Sequence, residues 1–206
     1  AIAPSLACAE EPFGTRLGDE LGEENQLDHA YRRAAAFAAT SPAGWLVPMG
    51  FEFAIHDALD ARRGEPMVPT TLKSKGLLDL RDTSQAANAS VVPRMAPAPH
   101  IATQGDVALL RTVDGADART AKQATLTLVN ASLDRDVPVE ASDILAGAAS
   151  HFSPWATPDG HRLFAHGEGL ILAPGAVVTL SAPPSTPALR KMGASVKKEF
   201  LQHATR

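Results

Sequence analysis

The first 90 residues carry a helical pattern of apolar positions that is interrupted by one short apolar run. Asn25 can cap a helix whose apolar side chains recur every three or four residues. Pro42 and Gly44 end this helix, and the apolar run over 45–49 predicts a buried strand. A helix, a short loop and a strand in this order form the unit of an α/β barrel. The predicted inner face of the helix consists of Leu27, Tyr31, Ala34, Ala35 and Ala38.

A second helix is predicted near Leu77–Ala89, after a charged and proline-rich loop that extends through Thr71. Its apolar face is modest, because small and polar residues interrupt the periodic positions. The region 1–91 is therefore predicted to hold two or three helices and a single strand. The predicted inner positions of the second helix are Leu77, Leu80, Ser84 and Ala87.

The period of the apolar pattern changes to two in the second half of the chain. Residues 92–105, with Pro93, Pro97, Pro99 and Gly105, have the composition of a stiff, extended linker. Alternating residues beyond this linker predict a small antiparallel β-sandwich over 106–183. Its predicted strands are Val107–Val113, Ala124–Asn130, Val137–Glu140, His161–Ala165, Leu170–Leu172 and Val177–Leu180.

The last two predicted strands flank a turn at 173–175 and are expected to pair as a hairpin. Residues 184–206 follow as a basic tail with a helical pattern. The predicted core of the sandwich consists of Val107, Leu109, Leu126, Leu128, Leu170, Leu172 and Leu180.

Composition and charge narrow the class of protein. The chain has 206 residues, of which 45% are hydrophobic, and its net charge of −4 provides no positive field for nucleic acid. No apolar run approaches the roughly 20 residues that a membrane-spanning helix needs, and the first residues lack the pattern of a signal peptide. We therefore expect a protein that binds neither nucleic acid nor membranes. The chain lacks an initiator Met, so it could be cut from a longer protein, although removal of the Met would give the same first residue.

No metal site and no cofactor are predicted from the titratable residues. Cys8 is the single cysteine, so it forms no intrachain disulfide and has no partner at metal-binding spacing. The adjacent pair His56 and Asp57 has no evident third ligand. His161 and His166 lie five residues apart on a predicted strand and loop, which does not fit zinc-ligand spacing.

Residues 44–53 have the pattern of a strand that opens into a ligand-bearing loop. An apolar run from Trp45 meets Pro48 and breaks at Gly50, and the carboxylate of Glu52 follows between two aromatic residues. This segment resembles the last barrel strand of the α-amylase superfamily, which often reads Gly-x-Pro-x-x-x-Gly-x-Glu. The corresponding residues are Gly44, Pro48, Gly50 and Glu52, with Pro48 two residues closer to Gly50 than in that pattern.

The second half strengthens the resemblance and narrows it to one family. A strand that ends in Leu128-Val-Asn130 and a closing Leu172-Ala-Pro-Gly strand resemble the C-terminal domain of the bacterial α-1,4-glucan:maltose-1-phosphate maltosyltransferases. The resemblance is collinear over about residues 5–182. It implies that residues 1–91 are the C-terminal end of a (β/α)8 catalytic barrel and 92–105 a linker. It further implies a C-terminal β-sandwich over 106–183 and a basic helical tail over 184–206.

The resemblance implies retaining chemistry, which uses two carboxyl groups close to the scissile bond. In this superfamily those groups lie on earlier barrel strands, which have no counterpart in this chain. A third carboxylate, which stabilises the transition state, usually follows the seventh strand in a His-Asp context. The matching window is 8–12, where Ala9 replaces the His and Glu10 replaces the Asp. Glu10 is therefore the candidate catalytic residue, and a solvated loop carboxylate is the structural alternative.

Two further residues are candidates for substrate binding, and each has a structural alternative. Glu52 follows the strand on the side where barrel chemistry gathers, but it could instead accept hydrogen bonds from backbone amides. Arg16 could meet a substrate hydroxyl group or form an ion pair.

Trp155 with Phe152 could stack on a sugar ring or fill the space under the sandwich. Asn130 begins an Asn-Ala-Ser sequence that matches the N-glycosylation pattern, although nothing else indicates secretion.

By this resemblance, the parent enzyme transfers maltosyl units from maltose 1-phosphate to an α-1,4-glucan such as glycogen, in the cytoplasm and without a cofactor. The isolated chain is expected to be inactive because it lacks the main catalytic carboxylates. The alternatives are an α-amylase-type glycoside hydrolase and a non-catalytic module that binds glucan or braces the barrel. The expected partners are α-1,4-glucan and maltose 1-phosphate, and a homodimer stays open.

Overall fold

The computed structural model describes residues 6–185, except for 12, 22–23, 42–43, 59–68, 90–95, 104–105, 113–119, 145–146, 161 and 164–168. The chain divides into two compact units. The first unit comprises Ala1–Pro93 with two short segments, Ser132–Arg135 and Pro174–Val177, and the second unit comprises the remainder. The predicted helical tail over 184–206 falls almost entirely outside the described residues, and the division into four regions stays a prediction.

The first unit contains a parallel pair of short strands joined by a long helix. Strand β1 (Ala7–Cys8) pairs in parallel with strand β2 (Trp45–Leu46), with Ala7 opposite Trp45 and Cys8 opposite Leu46. Helix α2 lies between the two strands in sequence, so the three elements form a βαβ unit. The elements, in chain order, are β1 Ala7–Cys8, α1 Leu17–Glu20, α2 Glu24–Ala39, β2 Trp45–Leu46, a 3₁₀ turn Phe51–Phe53, α3 Pro69–Lys75 and α4 Arg81–Ala89.

The core of the first unit is built on the apolar face of α2. Four of the five residues that the periodicity placed on this face are buried, and Ala34 is partly buried. The Tyr31 and Phe51 rings pack with their centroids 5.0 Å apart, so the loop after β2 is tied to the helix. The prediction of the α2 face is confirmed, and the buried core consists of Ala9, Leu27, Tyr31, Ala35, Ala38, Phe51, Ala54 and Leu80.

Several predicted boundaries in the first unit were wrong. The strand predicted over 45–49 is confined to β2, because Pro48 lacks the N–H that would continue a ladder. Helix α2 begins at Glu24, so Asn25 lies within it rather than at its cap. Helix α4 begins only at Arg81, and Leu77 precedes it with 46% of its surface exposed. Strand β1 and helix α3 were not predicted.

The described residues of the second unit form a sheet of six strands and a separate pair of strands. The order in the larger sheet is β3-β4-β5-β10-β7-β8, and β6 pairs with β9 in the smaller one. Every pairing whose register is described in this unit is antiparallel, which is consistent with a β-sandwich. The strands are β3 Ala96–Thr103, β4 Asp106–Thr112, β5 Ala124–Val129, β6 Val137–Val139, β7 Trp155–Ala156, β8 Arg162–Leu163, β9 Leu170–Leu172 and β10 Val177–Ala182. Helix α5 spans Ala141–Ile144, and a 3₁₀ turn spans Gly147–His151.

The segment predicted as a linker contains β3, which pairs with β4 along most of its length. Pro97 and Pro99 are tolerated because β3 is an edge strand, and the register shifts between Pro97 and His100. Residues 96–103 of the predicted linker therefore form a strand rather than an unpaired extended segment. The prolines predicted an extended backbone correctly, but the sequence did not show that this segment pairs with β4 as a strand.

The predicted hairpin of the last two strands was also wrong. Strand β9 pairs with β6, whereas β10 lies between β5 and β7 in the larger sheet. The predicted core of β4 was shifted by one residue, because Ala108 and Leu110 are buried while Val107 and Leu109 are partly exposed. Strand β5 lies between two neighbours, and all six of its residues are buried.

Candidate active site

The carboxyl ends of β1 and β2 lie at one edge of the parallel pair, because parallel strands run in the same direction. Glu10 follows β1 by two residues, and Met49 follows β2 by three. In open and closed parallel sheets, ligands bind outside the carboxyl ends of the strands. This edge is therefore the candidate active site of the first unit.

Glu10 lies in a buried cluster of polar groups at this edge. Its side chain is 1% exposed and forms an ion pair with Arg16 Nη2. The second carboxylate oxygen, Oε2, accepts hydrogen bonds from the Leu17 N–H at 3.2 Å and from the Tyr31 hydroxyl at 3.2 Å. The carboxylate thus fixes the start of α1 and the tip of a core tyrosine.

Arg16 connects Glu10 to the loop that follows β2. Its side chain is fully buried, and both terminal nitrogens lie 3.3 Å from the Met49 carbonyl oxygen. The guanidinium group therefore bridges a carboxylate after the first strand and a carbonyl group after the second. Such a planar, always charged group suits simultaneous contacts of this kind.

Glu52 contacts the other end of the same peptide group. Its Oε2 accepts a hydrogen bond from the Gly50 N–H at 3.1 Å, which is the backbone contact expected of the structural alternative for this residue. Gly50 has φ +88°, a left-handed conformation that favours glycine. The Met49–Gly50 peptide group is thus contacted by Arg16 at its carbonyl oxygen and by Glu52 at its N–H.

The three residues singled out in the sequence are consequently linked, although not as an open set of substrate ligands. Glu10 and Arg16 are buried against each other, while Glu52 is half-buried. The catalytic role of Glu10 and the substrate contacts of Arg16 and Glu52 stay predictions. What the structure establishes is a connected series of polar contacts that joins the loops after both strands.

Tyr31 is a member of this site that sequence reasoning assigned to the core alone. Burial raises the pKa of the Tyr31 hydroxyl above its usual value, and the neighbouring Glu10 charge raises it further. A buried tyrosine usually directs its hydroxyl group to a polar partner. The available signal was therefore a tyrosine at an inner helical position, without any indication of which partner it would meet.

Among the described residues, the other candidate groups do not assemble into a further site, and His161 and His166 lie outside the described residues. His56 Nδ1 lies 3.1 Å from Asp19 Oδ1 in an exposed pair. Within the described ranges, no group of three or more His, Cys, Asp or Glu residues could hold a metal ion. Trp155 is buried and packs edge-on against Phe152, with ring centroids 6.2 Å apart, so its face is not open to a sugar.

Asn130 is buried rather than displayed on the surface. Its Nδ2 donates hydrogen bonds to the carbonyl oxygens of Leu172 and Ala173, both at 3.0 Å. The residue therefore joins the end of β5 to the end of β9. This contact explains the residue better than the glycosylation pattern does, since the folded protein commits the same amide nitrogen to backbone carbonyls.

No helix among the described residues has the length and apolar character required to cross a bilayer.

Two comparisons with known proteins concern first the fold of the chain and then its sequence. The fold is similar to that of an α-amylase from Geobacillus thermoleovorans, solved as a complex with acarbose, with a TM-score of 0.50 and 13% identity. That likeness covers 87% of this chain and 39% of the amylase chain. At this identity, the comparison concerns the fold alone.

The sequence itself matches the α-1,4-glucan:maltose-1-phosphate maltosyltransferase of Burkholderia pseudomallei (strain K96243). The two are 32% identical over 174 residues, which is 78% of this chain and 15% of the relative. No family model matches the chain. Together, the sequence match and the shared fold support a partial α-amylase-superfamily protein.

Proposed function

We propose that this chain is part of a retaining enzyme that transfers maltosyl units from maltose 1-phosphate to an α-1,4-glucan. The observation that carries the proposal is the match to a maltosyltransferase over 174 residues at 32% identity. Because the chain spans only 15% of that relative, the activity is proposed for the complete protein that contains this segment. We expect the 206-residue chain alone to turn over neither donor nor glucan.

The geometry of the first unit supports a place for this segment at the edge of a glucan site. Loops after parallel strands carry the chemistry of α/β folds, and the loops after β1 and β2 are here joined by Arg16. We propose that residues 1–91 contribute these loops to a (β/α)8 barrel. The β-rich region over 106–183 would follow that barrel in the chain as a C-terminal domain.

Within this proposal, Glu10 has two alternative roles. If its carboxylate faces the oxocarbenium-like transition state, Glu10→Gln should lower kcat about a hundredfold, as loss of one preorganised electrostatic group does. If it acts only through Arg16, the fall in kcat should be smaller. Its burial against Arg16 favours the second role. Asp28→Asn is the matched control, because Asp28 is the carboxylate of an exposed ion pair with Arg32.

An α-amylase-type hydrolase is the second candidate, and the similarity of fold to the Geobacillus enzyme supports it. A donor-dependence assay on the complete protein separates the candidates. Maltosyl transfer requires maltose 1-phosphate and leaves starch intact when this donor is omitted. A hydrolase releases reducing sugar from starch without any donor. Glucan binding without turnover of either substrate would favour the non-catalytic module and would overturn the proposed activity.

A further inference from the structure

The Met49–Gly50 peptide group lies between two side chains of opposite charge. Arg16 donates to the Met49 carbonyl oxygen, with both terminal nitrogens 3.3 Å away, and the Gly50 N–H donates to Glu52 at 3.1 Å. A peptide group carries partial negative charge on its oxygen and partial positive charge on its N–H. Both contacts are therefore favourable in the observed orientation. Rotation of the peptide plane would turn the oxygen toward a carboxylate and the N–H toward a cation.

The local backbone makes such a rotation accessible unless something opposes it. Gly50 has φ +88° and carries no Cβ atom, so its backbone is less restricted than that of other residues. The groups around it are backbone hydrogen bonds of a tight turn, from Phe51 N–H to Pro48 O and from Ile55 N–H to Gly50 O. None of these bonds holds the Met49 carbonyl group, which is held instead by Arg16.

Arg16 is in turn held by Glu10. The ion pair is fully buried on both sides, and Glu10 also accepts from Leu17 and Tyr31. A buried charge that lost its partner would be costly, so the two side chains constrain each other's position. The loop after β1 therefore constrains the position of the loop after β2, although Arg16 and Met49 are 33 residues apart in sequence.

We propose that Arg16 is a positioning residue that, together with Glu10 and Glu52, fixes the orientation of the Met49–Gly50 peptide group at the edge of the proposed glucan site. The contacts of Arg16 show that the loops after β1 and β2 are coupled. The relevance of this coupling to glucan rests on the proposed function. One guanidinium group contacts both loops through its planar arrangement of N–H donors. Loss of this arrangement should make the loop after β2 more mobile while the helices remain folded. Lysine cannot replace it, since an ammonium group lacks the planar fork.

Hydrogen exchange of the Gly50 amide in the 206-residue chain tests this proposal. We expect Glu52→Gln to accelerate exchange of this amide about tenfold, because a hydrogen bond to a charged acceptor becomes a neutral one. We also expect Arg16→Lys and Glu10→Gln to accelerate it by about tenfold, although neither side chain contacts the amide. The amide of Ala35, in the buried middle of α2, should keep its exchange rate in all three variants.

Two outcomes would overturn the proposal. In the first, the Gly50 amide exchanges at the wild-type rate in folded Arg16→Lys and Glu10→Gln proteins. In the second, Gly50 and Ala35 accelerate equally, which would show that the variants only destabilise the unit. If Arg16→Lys does not fold, Glu10→Gln decides alone, because it keeps the shape and a neutral acceptor. Asp28→Asn is the control for loss of a carboxylate that pairs with arginine, and it should change neither amide.

A binding measurement on the same 206-residue chain distinguishes failure of this proposal from failure of the proposed function. Maltoheptaose is added to the wild-type chain while the amide signals of residues 49–52 are followed. Accelerated exchange at Gly50 in the variants without any response to maltoheptaose would support the positioning role and count against a glucan site in this chain. A response to maltoheptaose without the effect of the variants on Gly50 would overturn the positioning role and leave the proposed function standing.

Discussion

Tyr31 donates its hydroxyl hydrogen to Glu10 Oε2 at 3.2 Å, and both residues are buried. The chain contains a single tyrosine, so the ultraviolet absorbance of the phenolate group reports this position alone. The contact therefore provides a direct optical probe of the buried polar cluster at the ends of β1 and β2.

We expect Tyr31 in the folded protein to titrate well above the pKa of an ordinary tyrosine. Burial raises its pKa, and the Glu10 charge adds to the effect. Glu10→Gln should therefore move the absorbance transition to lower pH, because the neighbouring negative charge is removed. Absorbance at alkaline pH, with circular dichroism to show that the chain is still folded, provides the measurement. An ordinary titration of folded wild-type protein would contradict the burial of this hydroxyl group.

The raised pKa of Tyr31 also predicts how the free energy of unfolding changes with pH. Below about pH 10 the hydroxyl group is protonated in both the folded and the unfolded chain, so its contribution is complete. Above that pH the unfolded chain ionises first, and the free energy of unfolding should fall as pH rises. Urea unfolding at several alkaline pH values measures the decline, and Tyr31→Phe should show a shallower one. Equal slopes in the two proteins would be inconsistent with the linkage.

Arg16→Met should be among the most destabilising substitutions in the first unit. Removing one partner of a buried ion pair leaves an uncompensated charge and costs about 3–5 kcal/mol. Arg32→Met is the matched control, because Arg32 pairs with Asp28 on the surface and is 52% exposed. An exposed pair of this kind contributes less than about 1 kcal/mol. Chemical denaturation of both variants checks the difference, and similar midpoints would mean that the buried pair is not formed.

Gly50→Ala separates backbone strain from steric overlap when it is compared with Gly160→Ala. Both glycines have positive φ, at +88° and +86°, and a left-handed alanine costs roughly 1–2 kcal/mol at either site. A Cβ atom at Gly50 would lie 3.0 Å from Ile55 Cδ1, whereas one at Gly160 would meet nothing within 4 Å. We expect the free energy of unfolding to fall by about 1 kcal/mol more for Gly50→Ala. The reverse order would contradict the described turn.

Asn130→Ala should destabilise the second unit by about 1–3 kcal/mol, because two carbonyl groups at the end of β9 lose their donor. Thermal unfolding followed by circular dichroism provides the measurement. Asp136→Asn, on an exposed residue of the same unit, should change stability by less than about 0.5 kcal/mol. An Asn130→Ala protein as stable as this control would show that the amide does not join the two strands.

The sequence predicted those parts of the fold that depend on local periodicity. The inner face of α2 follows from the spacing of Leu27, Tyr31 and Ala38, and these residues are buried. Strand β1 is only two residues long and therefore has no periodic signal. Strand β3 was missed because Pro97 and Pro99 resemble a linker until an edge position in a sheet accommodates them.

The candidate site was predictable in its residue types but not in its contacts. The position of Glu52 after the apolar run from Trp45 indicated a strand-end carboxylate, whereas Glu10 was singled out only by the family resemblance of residues 8–12. The contact of Arg16 with the Met49 carbonyl group joins residues 33 apart in sequence and involves a backbone atom. The pattern of side chains along the sequence therefore does not predict it. Sheet partners were hidden for a similar reason, since the pairing of β9 with β6 rather than β10 depends on tertiary packing.

The most direct test of the proposed function is the ratio of phosphate released to maltosyl units added to glycogen. The complete protein that contains this segment is incubated with glycogen and maltose 1-phosphate labelled in the sugar. Maltosyl transfer predicts one phosphate for each maltosyl unit recovered in the glycogen, and no phosphate release when the acceptor is omitted. Incorporation of no label, with reducing sugar released from glycogen in the absence of donor, would contradict the transferase and assign the protein as a hydrolase.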